Sequence, residues 1–336
     1  AMRHLLAADG RLPVNVKFFV EGEEESGSPN IEAFLAEHAE RLAGDLIVVS
    51  DTGMVAEDVP SLVTAMRGLI YFQVDLRTAP ADLHSGSFGG AVPNAVAELV
   101  GLLGGLKDDA GRIAIPGWYD DVVALTDEER ANFAALPFDP EQLKAVTGVG
   151  DLPGEEGWSP LERMSGRPTA DVNGIWGGFT EVGPKTIIPA EAHAKVSFRL
   201  VADQDPARLE PLFERWVRDN LPAHVEAAVR SFGGVKPSLT PLDHPANRAA
   251  ARAVARAFGK EPLFNREGGS GPERALSDAL DADCVYLGVM LPSDRIHAPN
   301  ERLLLANYYR GVRAAAYALE EFAKPEVATA LRDPGG

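Results

Sequence analysis

Four carboxylates fall within five positions, at Glu21, Glu23, Glu24 and Glu25, directly after the apolar run Val14-Asn15-Val16-Lys17-Phe18-Phe19-Val20. The run has the β-branched and aromatic composition of a buried strand. In open α/β sheets ligands bind beyond the carboxyl ends of the strands, which is where acidic metal ligands and a general base belong. Taken alone, the same acids are equally those of a solvated turn. A second polar delivery follows the run Leu46-Ile47-Val48-Val49, at Ser50-Asp51. Three further stretches carry residue types able to do chemistry: Asp82-Leu83-His84-Ser85-Gly86, Glu267-Gly268-Gly269-Ser270-Gly271-Pro272 and Ile296-His297-Ala298-Pro299-Asn300-Glu301. In the second of these, glycines allow close backbone approach and free N–H groups at a helix start favour an anion. Its pattern is not Gly-x-Ser-x-Gly, which argues against a serine nucleophile at Ser270.

Taken in chain order, Glu24-Glu25-Ser26-Gly27-Ser28, Ser50-Asp51, the His84 stretch, Gly268-Gly269-Ser270 and the His297 stretch resemble the motifs of the M20 family of metallopeptidases. The likeness is to its dipeptidase, or carnosinase-like, branch and runs through essentially the whole chain. It implies a catalytic α/β domain with a mainly parallel sheet, interrupted by a ferredoxin-like α+β lid or dimerisation domain. It implies hydrolysis of dipeptides or short peptides by water activated at a pair of metals, Zn2+ in the family with Mn2+ also accepted. Glu24 would be the general base, Glu25 and His297 ligands of one metal, and Asp51 a ligand of the other. A base beside a dication can take the proton of a water whose pKa the metal has lowered to about 7. Glu21 and Glu23 have no assigned role and read as supporting or solvated acids. The same resemblance makes His84 a stabiliser of the oxyanion in the neighbouring subunit's site, within a homodimer formed through the lid. It places Thr186, Arg199, Ser270 and Gly269 at the substrate, with Arg199 and Ser270 near its carboxylate; a guanidinium fork suits that group. From the residues alone, the simpler readings are preferred: His84 as a capping histidine, Arg199 as a surface arginine, Thr186 as a strand threonine and His297 as an ordinary loop histidine.

One family motif is missing. None of the seven histidines (His4, His38, His84, His193, His224, His244, His297) is followed two places on by Asp, so His-x-Asp is absent, as is His-Glu-x-x-His. Zinc sites normally use three or four protein ligands. The expectation is therefore an N-terminally incomplete peptidase that binds metal weakly and does not hydrolyse peptides by itself. Two alternatives are an N-acyl-amino-acid deacylase on the same scaffold and a non-catalytic dimeric pseudoenzyme or binding protein.

The elements that must position these groups read as follows. Strands over 14–20 and 45–50 flank a helix begun by Ser28-Pro29, a βαβ arrangement with acids at both carboxyl ends. From residue 67 the pattern changes to a half-exposed strand at 69–77, a helix at 91–106, a strand at 192–201, a helix at 205–220 and a strand at 223–232, a ferredoxin-like layer with room for one more strand. The stretch 107–178 is too long for a bare loop and takes short helices near 127–136 and 140–145. Beyond 238 the alternation returns, with a helix at 245–258, a strand at 262–266, a helix at 272–280, a strand at Cys284 and a helix at 301–322. The domains are thus 1–66 with 239–336, and 67–238. The 336 residues are 45% hydrophobic and 24% charged, which fits a globular chain of two cores. The net charge of −18 disfavours nucleic acid and anionic membranes as partners. A single cysteine permits no internal disulfide and fits a cytoplasmic location. No stretch reaches the roughly 20 apolar residues of a membrane span.

Overall fold

The computed structural model describes residues 1–332, which divide into two compact units: 1–66, 124–139 and 238–332 in the first, 67–123 and 140–237 in the second. The strands are β1 (Ile47–Val49), β2 (Ser61–Met66), β3 (Gly68–Arg77), β4 (Leu83–His84), β5 (Thr169–Gly177), β6 (Ile187–Ile188), β7 (Glu191–Leu200), β8 (Glu226–Val235), β9 (Ser238–Leu239), β10 (Leu263–Glu267) and β11 (Cys284–Tyr286).

The second unit is built on β3, β7 and β8, strands of ten residues each, with β5 on the other edge. They form an antiparallel sheet in the order β5-β7-β3-β8. With the helices Ala95–Gly104 and Pro206–Asp219 in the crossovers, this is the ferredoxin-like βαββαβ order expected of residues 67–238, with β5 as the further strand. The alternation is strict: Ile70, Phe72, Val74 and Leu76 of β3 and Ala194, Val196, Phe198 and Leu200 of β7 are buried beneath the two helices, while their neighbours are partly solvated. Phe72 meets Phe213 at 4.4 Å between ring centroids, and Trp118 meets Phe198 at the same distance. Trp118 comes from the long stretch before β5, which supplies core as well as the helices Pro140–Thr147 and Pro160–Ser165.

In the first unit β1 pairs in parallel with β11, β10 pairs in parallel with β2, and β2 pairs antiparallel with β9. The helices Pro245–Phe258 and Leu305–Phe322 cover these strands through Ala246, Ala249, Ala250, Ala253, Ala314 and Ala318, whose small side chains let the helices approach closely. Cys284 is buried in β11, where burial pushes its thiol up to about 11, so it is a packing residue rather than a nucleophile.

Four expectations are corrected. Residues 14–20 are not a strand: they pair with no described strand, and Phe18 and Val20 are 73% and 88% exposed. A strand is made by its partner, and β-propensity without a ladder leaves an extended coil. Ser28 does not cap the next helix; it has φ 49°, and the helix runs Ile31–Leu42 from Asn30. Residues 124–139, read as part of the 67–238 layer, pack in the first unit because the helix Asp127–Ala135 is bonded to β10 through Asn132 and Glu129. The C-terminal helix begins at Leu305 rather than 301, and a further helix, Pro325–Arg332, follows it.

Candidate functional site

Parallel pairing brings the segments of Asp51 and His297 side by side. Because β1 and β11 run side by side, Val49 pairs with Tyr286 and the chains continue together: Leu287 N–H donates to Val49 O at 2.8 Å and Met54 N–H to Met290 O at 2.7 Å. Asp51 thus leaves the end of β1 beside the segment that leads to His297. A Cβ on Gly288 would lie 1.7 Å from Thr52 O, so only glycine lets the two segments run this close.

Glu24 and Glu25 stand on a single 3-10 turn, Glu24–Ser26. Ser26 and Ser28 N–H both donate to Glu23 O, at 2.9 and 3.0 Å, and Gly27 closes the turn at φ 84°. The Glu23 carboxylate is spent locally, accepting from Asn30 Nδ2 at 2.8 Å. Partial burial, then the charges of Glu25, Asp51 and Glu21, hold the Glu24 carboxyl above its ordinary value, with His297 opposing them. That direction suits a proton acceptor. His297, itself at φ 60°, meets Glu25 Oε1 through Nε2 at 2.9 Å, and this contact raises the imidazole pKa, as does the charge of Glu25. Both side chains are open, 68% and 71% exposed.

Sequence reasoning missed Glu273. Its side chain is buried, Oε2 has no hydrogen-bond partner, and burial raises its pKa, with Glu24 and Asp51 adding to the rise. An acid in the first turn of a helix, here Glu273–Leu280, is so ordinary that its type gives no signal. Gly269 and Ser270 lie in the loop between β10 and this helix. Gly271, rather than Gly269, is the glycine under the Glu273 carboxylate, which a Cβ there would approach to 2.6 Å and push aside.

In the second unit the fold joins His84 to Thr186 across 102 positions. His84 pairs with Ile187 in the β4–β6 ladder, and Ser85 N–H donates to Thr186 O at 3.0 Å. His84 Nδ1 accepts from Ser87 N–H at 3.2 Å, so the histidine caps the helix Ser85–Phe88. Gly86 lies beneath the ring, where a Cβ would come within 2.8 Å of Cε1 and displace it. Asp82 Oδ1 accepts from Ala190 N–H at 3.0 Å, tying this turn to the start of β7. Arg199 sits at the other end of β7, eight positions beyond Glu191, which is about 26 Å of extended strand.

The donor types at the rim suit a divalent cation, but their number falls short. Among the described residues no three His, Cys, Asp or Glu side chains are grouped to hold a metal ion; Glu25 and His297 converge as a pair.

Comparison with known proteins decides the family. The peptidase dimerisation domain family matches residues 64–225. The chain is 31% identical over 332 residues to the Cys-Gly metallodipeptidase DUG1 of Saccharomyces cerevisiae, covering 95% of this chain and 67% of that protein. It superposes on the M20 family metallo-carboxypeptidase Sso-CP2 from Sulfolobus solfataricus with a TM-score of 0.81 and 30% identity, over 96% of this chain and 73% of that one. The chain belongs to the M20 family of metallopeptidases. This M20 chain is also 32% identical over 321 residues to the human Beta-Ala-His dipeptidase, covering 94% of itself and 63% of that enzyme. It therefore spans less than two thirds of that relative. The family is one of metal-dependent hydrolases.

Proposed function

We propose that this chain serves in the metal-dependent hydrolysis of dipeptides or short peptides, with Zn2+, or alternatively Mn2+, as the metal. The observation that carries the reading is the meeting of Glu25 with His297, 272 positions away, beside Glu24, whose carboxyl is held above its ordinary value by partial burial and then by the charges of Glu25 and Asp51. In this reading Glu24 accepts a proton from the attacking water and returns it to the leaving amine. Arg199, Ser270 and Gly269 receive the substrate's carboxylate; Thr186 and His84 serve the scissile carbonyl, His84 through the ring nitrogen its cap leaves over. Relatives that are dipeptidases support the substrate class.

Two copies are part of the proposal. An extended dipeptide spans at most about 7 Å. Arg199 and the His84–Thr186 pair stand at opposite ends of β7, so one copy cannot apply both to one dipeptide. A homodimer through the ferredoxin-like unit, supported by the match to a peptidase dimerisation domain, resolves this by letting His84 act on the neighbouring copy. The cytoplasm is the location that suits a buried, unpaired Cys284. Among the described residues no helix is long and apolar enough to cross a membrane.

The shortage of grouped donors favours a second statement about the 336 residues themselves: alone they bind metal weakly and turn over no peptide. Metal analysis and dipeptide hydrolysis on protein of verified mass test both parts. Two zinc ions per chain with ordinary turnover would refute the weak-site statement. Cleavage of N-acyl-amino acids but not dipeptides would move the assignment to a deacylase. A monomer by light scattering would remove the trans role of His84.

A further inference from the structure

The segment 124–139 leaves the ferredoxin-like sequence and returns to it, yet packs in the first unit. Its helix Asp127–Ala135 is fixed to β10 at two points. Asn132 Oδ1 accepts from Phe264 N–H at 3.0 Å, and Glu129 Oε1 accepts from Arg266 Nε at 2.8 Å, with Nη2 at 2.7 Å. The Arg266 and Glu129 side chains are 2% and 9% exposed. The other Glu129 oxygen, Oε2, accepts from Thr126 N–H at 2.8 Å and Oγ1 at 3.1 Å, so one carboxylate anchors the helix start and the strand arginine together.

The place of this anchor on the strand is informative. The β10–β2 register shifts between Asn265 and Arg266, and such irregularities re-aim the chain next to functional sites. Arg266 Nη1 and Asn265 Oδ1 are buried without a hydrogen-bond partner, so the side chains flanking the shift carry unmet polar groups. Glu267 ends the strand one residue later, and the loop 268–272 with Gly269 and Ser270 follows at once. Buried ion pairs are weak contributors to stability, since apolar replacements of similar volume are commonly as stable or more so; placement is the better account of such a pair.

We propose that Glu129 and Arg266 are positioning residues for the loop 268–272, so that a helix encoded within the lid's sequence sets the geometry of the substrate-carboxylate loop. The inference rests on the reading of Gly269 and Ser270 as that loop. Hydrogen exchange followed by mass spectrometry on the full chain tests the positioning, and calorimetric titration with glycylglycine tests the reading. Glu129→Gln keeps an acceptor for Thr126 N–H but withdraws the charge facing Arg266; exchange in 267–272 rises about tenfold and glycylglycine binds about tenfold more weakly. Thr126→Ala loosens the helix start while leaving the pair, and exchange in 267–272 stays at the wild-type rate. The double variant E129Q/R266M removes both buried charges, guarding against a chain that merely fails to fold; it melts like wild type and still shows raised loop exchange. Wild-type loop exchange in the folded double variant, or an equal rise in T126A, overturns the proposal. Raised loop exchange with glycylglycine binding absent from the wild type, or unchanged in both E129Q and S270A, upholds the positioning and overturns the carboxylate role of Ser270.

Discussion

The ferredoxin-like sheet and the acidic rim are opposites in how they are held. In the sheet, ten-residue strands pair along their length, and Phe72, Val74, Val196 and Phe198 are wholly buried. At the rim a 3-10 turn follows an unpaired coil, and Glu25 and His297, 272 positions apart, meet through one contact between exposed side chains. The sheet is placed by many apolar neighbours, each worth kcal/mol, and the rim by ionic contacts worth little in water. Residues that hold the fold and residues that would do chemistry are thus separable, and substitutions should sort them.

The largest effect should come from the sheet. Phe198→Ala, which empties a space between Phe72, Trp118 and Phe213, is expected to cost about 3–5 kcal/mol in urea unfolding followed by tryptophan fluorescence. Val20→Ser, at 88% exposure, should stay within about 0.5 kcal/mol. Equal losses at the two positions would erase the contrast. Next comes His297→Ala, which should shift stability by less than about 1 kcal/mol. By calorimetry it should also weaken zinc binding by about 10–100-fold, the range seen even for residues that only support a ligand. A loss of stability without a loss of zinc affinity would make the contact structural.

A smaller effect concerns acid. The hydrogen bond from His244, whose Nε2 lies 3.1 Å from Asp283 Oδ2, holds the Asp283 carboxyl below the usual range against some desolvation. A depressed folded pKa gives stability that is present above the unfolded value of about 3.9 and is lost as pH falls through the folded one. Asp283→Asn should therefore flatten the fall in urea midpoint below about pH 4. Asp283 is half exposed, so solvent screening keeps the difference under about 1 kcal/mol. The smallest effect is local: Gly86→Ala displaces the His84 ring, which NMR would register as a shifted imidazole with little change in melting.

The sheet was legible because its signal is local. Alternation along 69–77 and 192–201 states which face is buried, and a strand-helix-strand rhythm leaves few topologies open. The rim was legible only in part. The motifs named Glu24, Glu25, Asp51 and His297; parallel β1 and β11 explain why the Asp51 and His297 segments run together, and the Glu25–His297 contact joins the third. The Val14–Val20 run misled, because it has strand composition without a strand to pair with. Glu273 and Glu129 were invisible, since first-turn helix acids occur everywhere and only their burial, beside the rim or against Arg266, gives them meaning.

The amino-acid order by itself settled the two-unit α/β character, the ferredoxin-like layer and the family of the chain, because periodicity and ordered motifs are properties of neighbours along the chain. Tertiary structure alone decided which groups meet at the rim, that His84 and Thr186 are joined near the start of β7 while Arg199 lies near its end, and that a helix within the lid's sequence is bolted to β10. Those are distances between residues remote in sequence, set by pairing and packing whose partners no local pattern names.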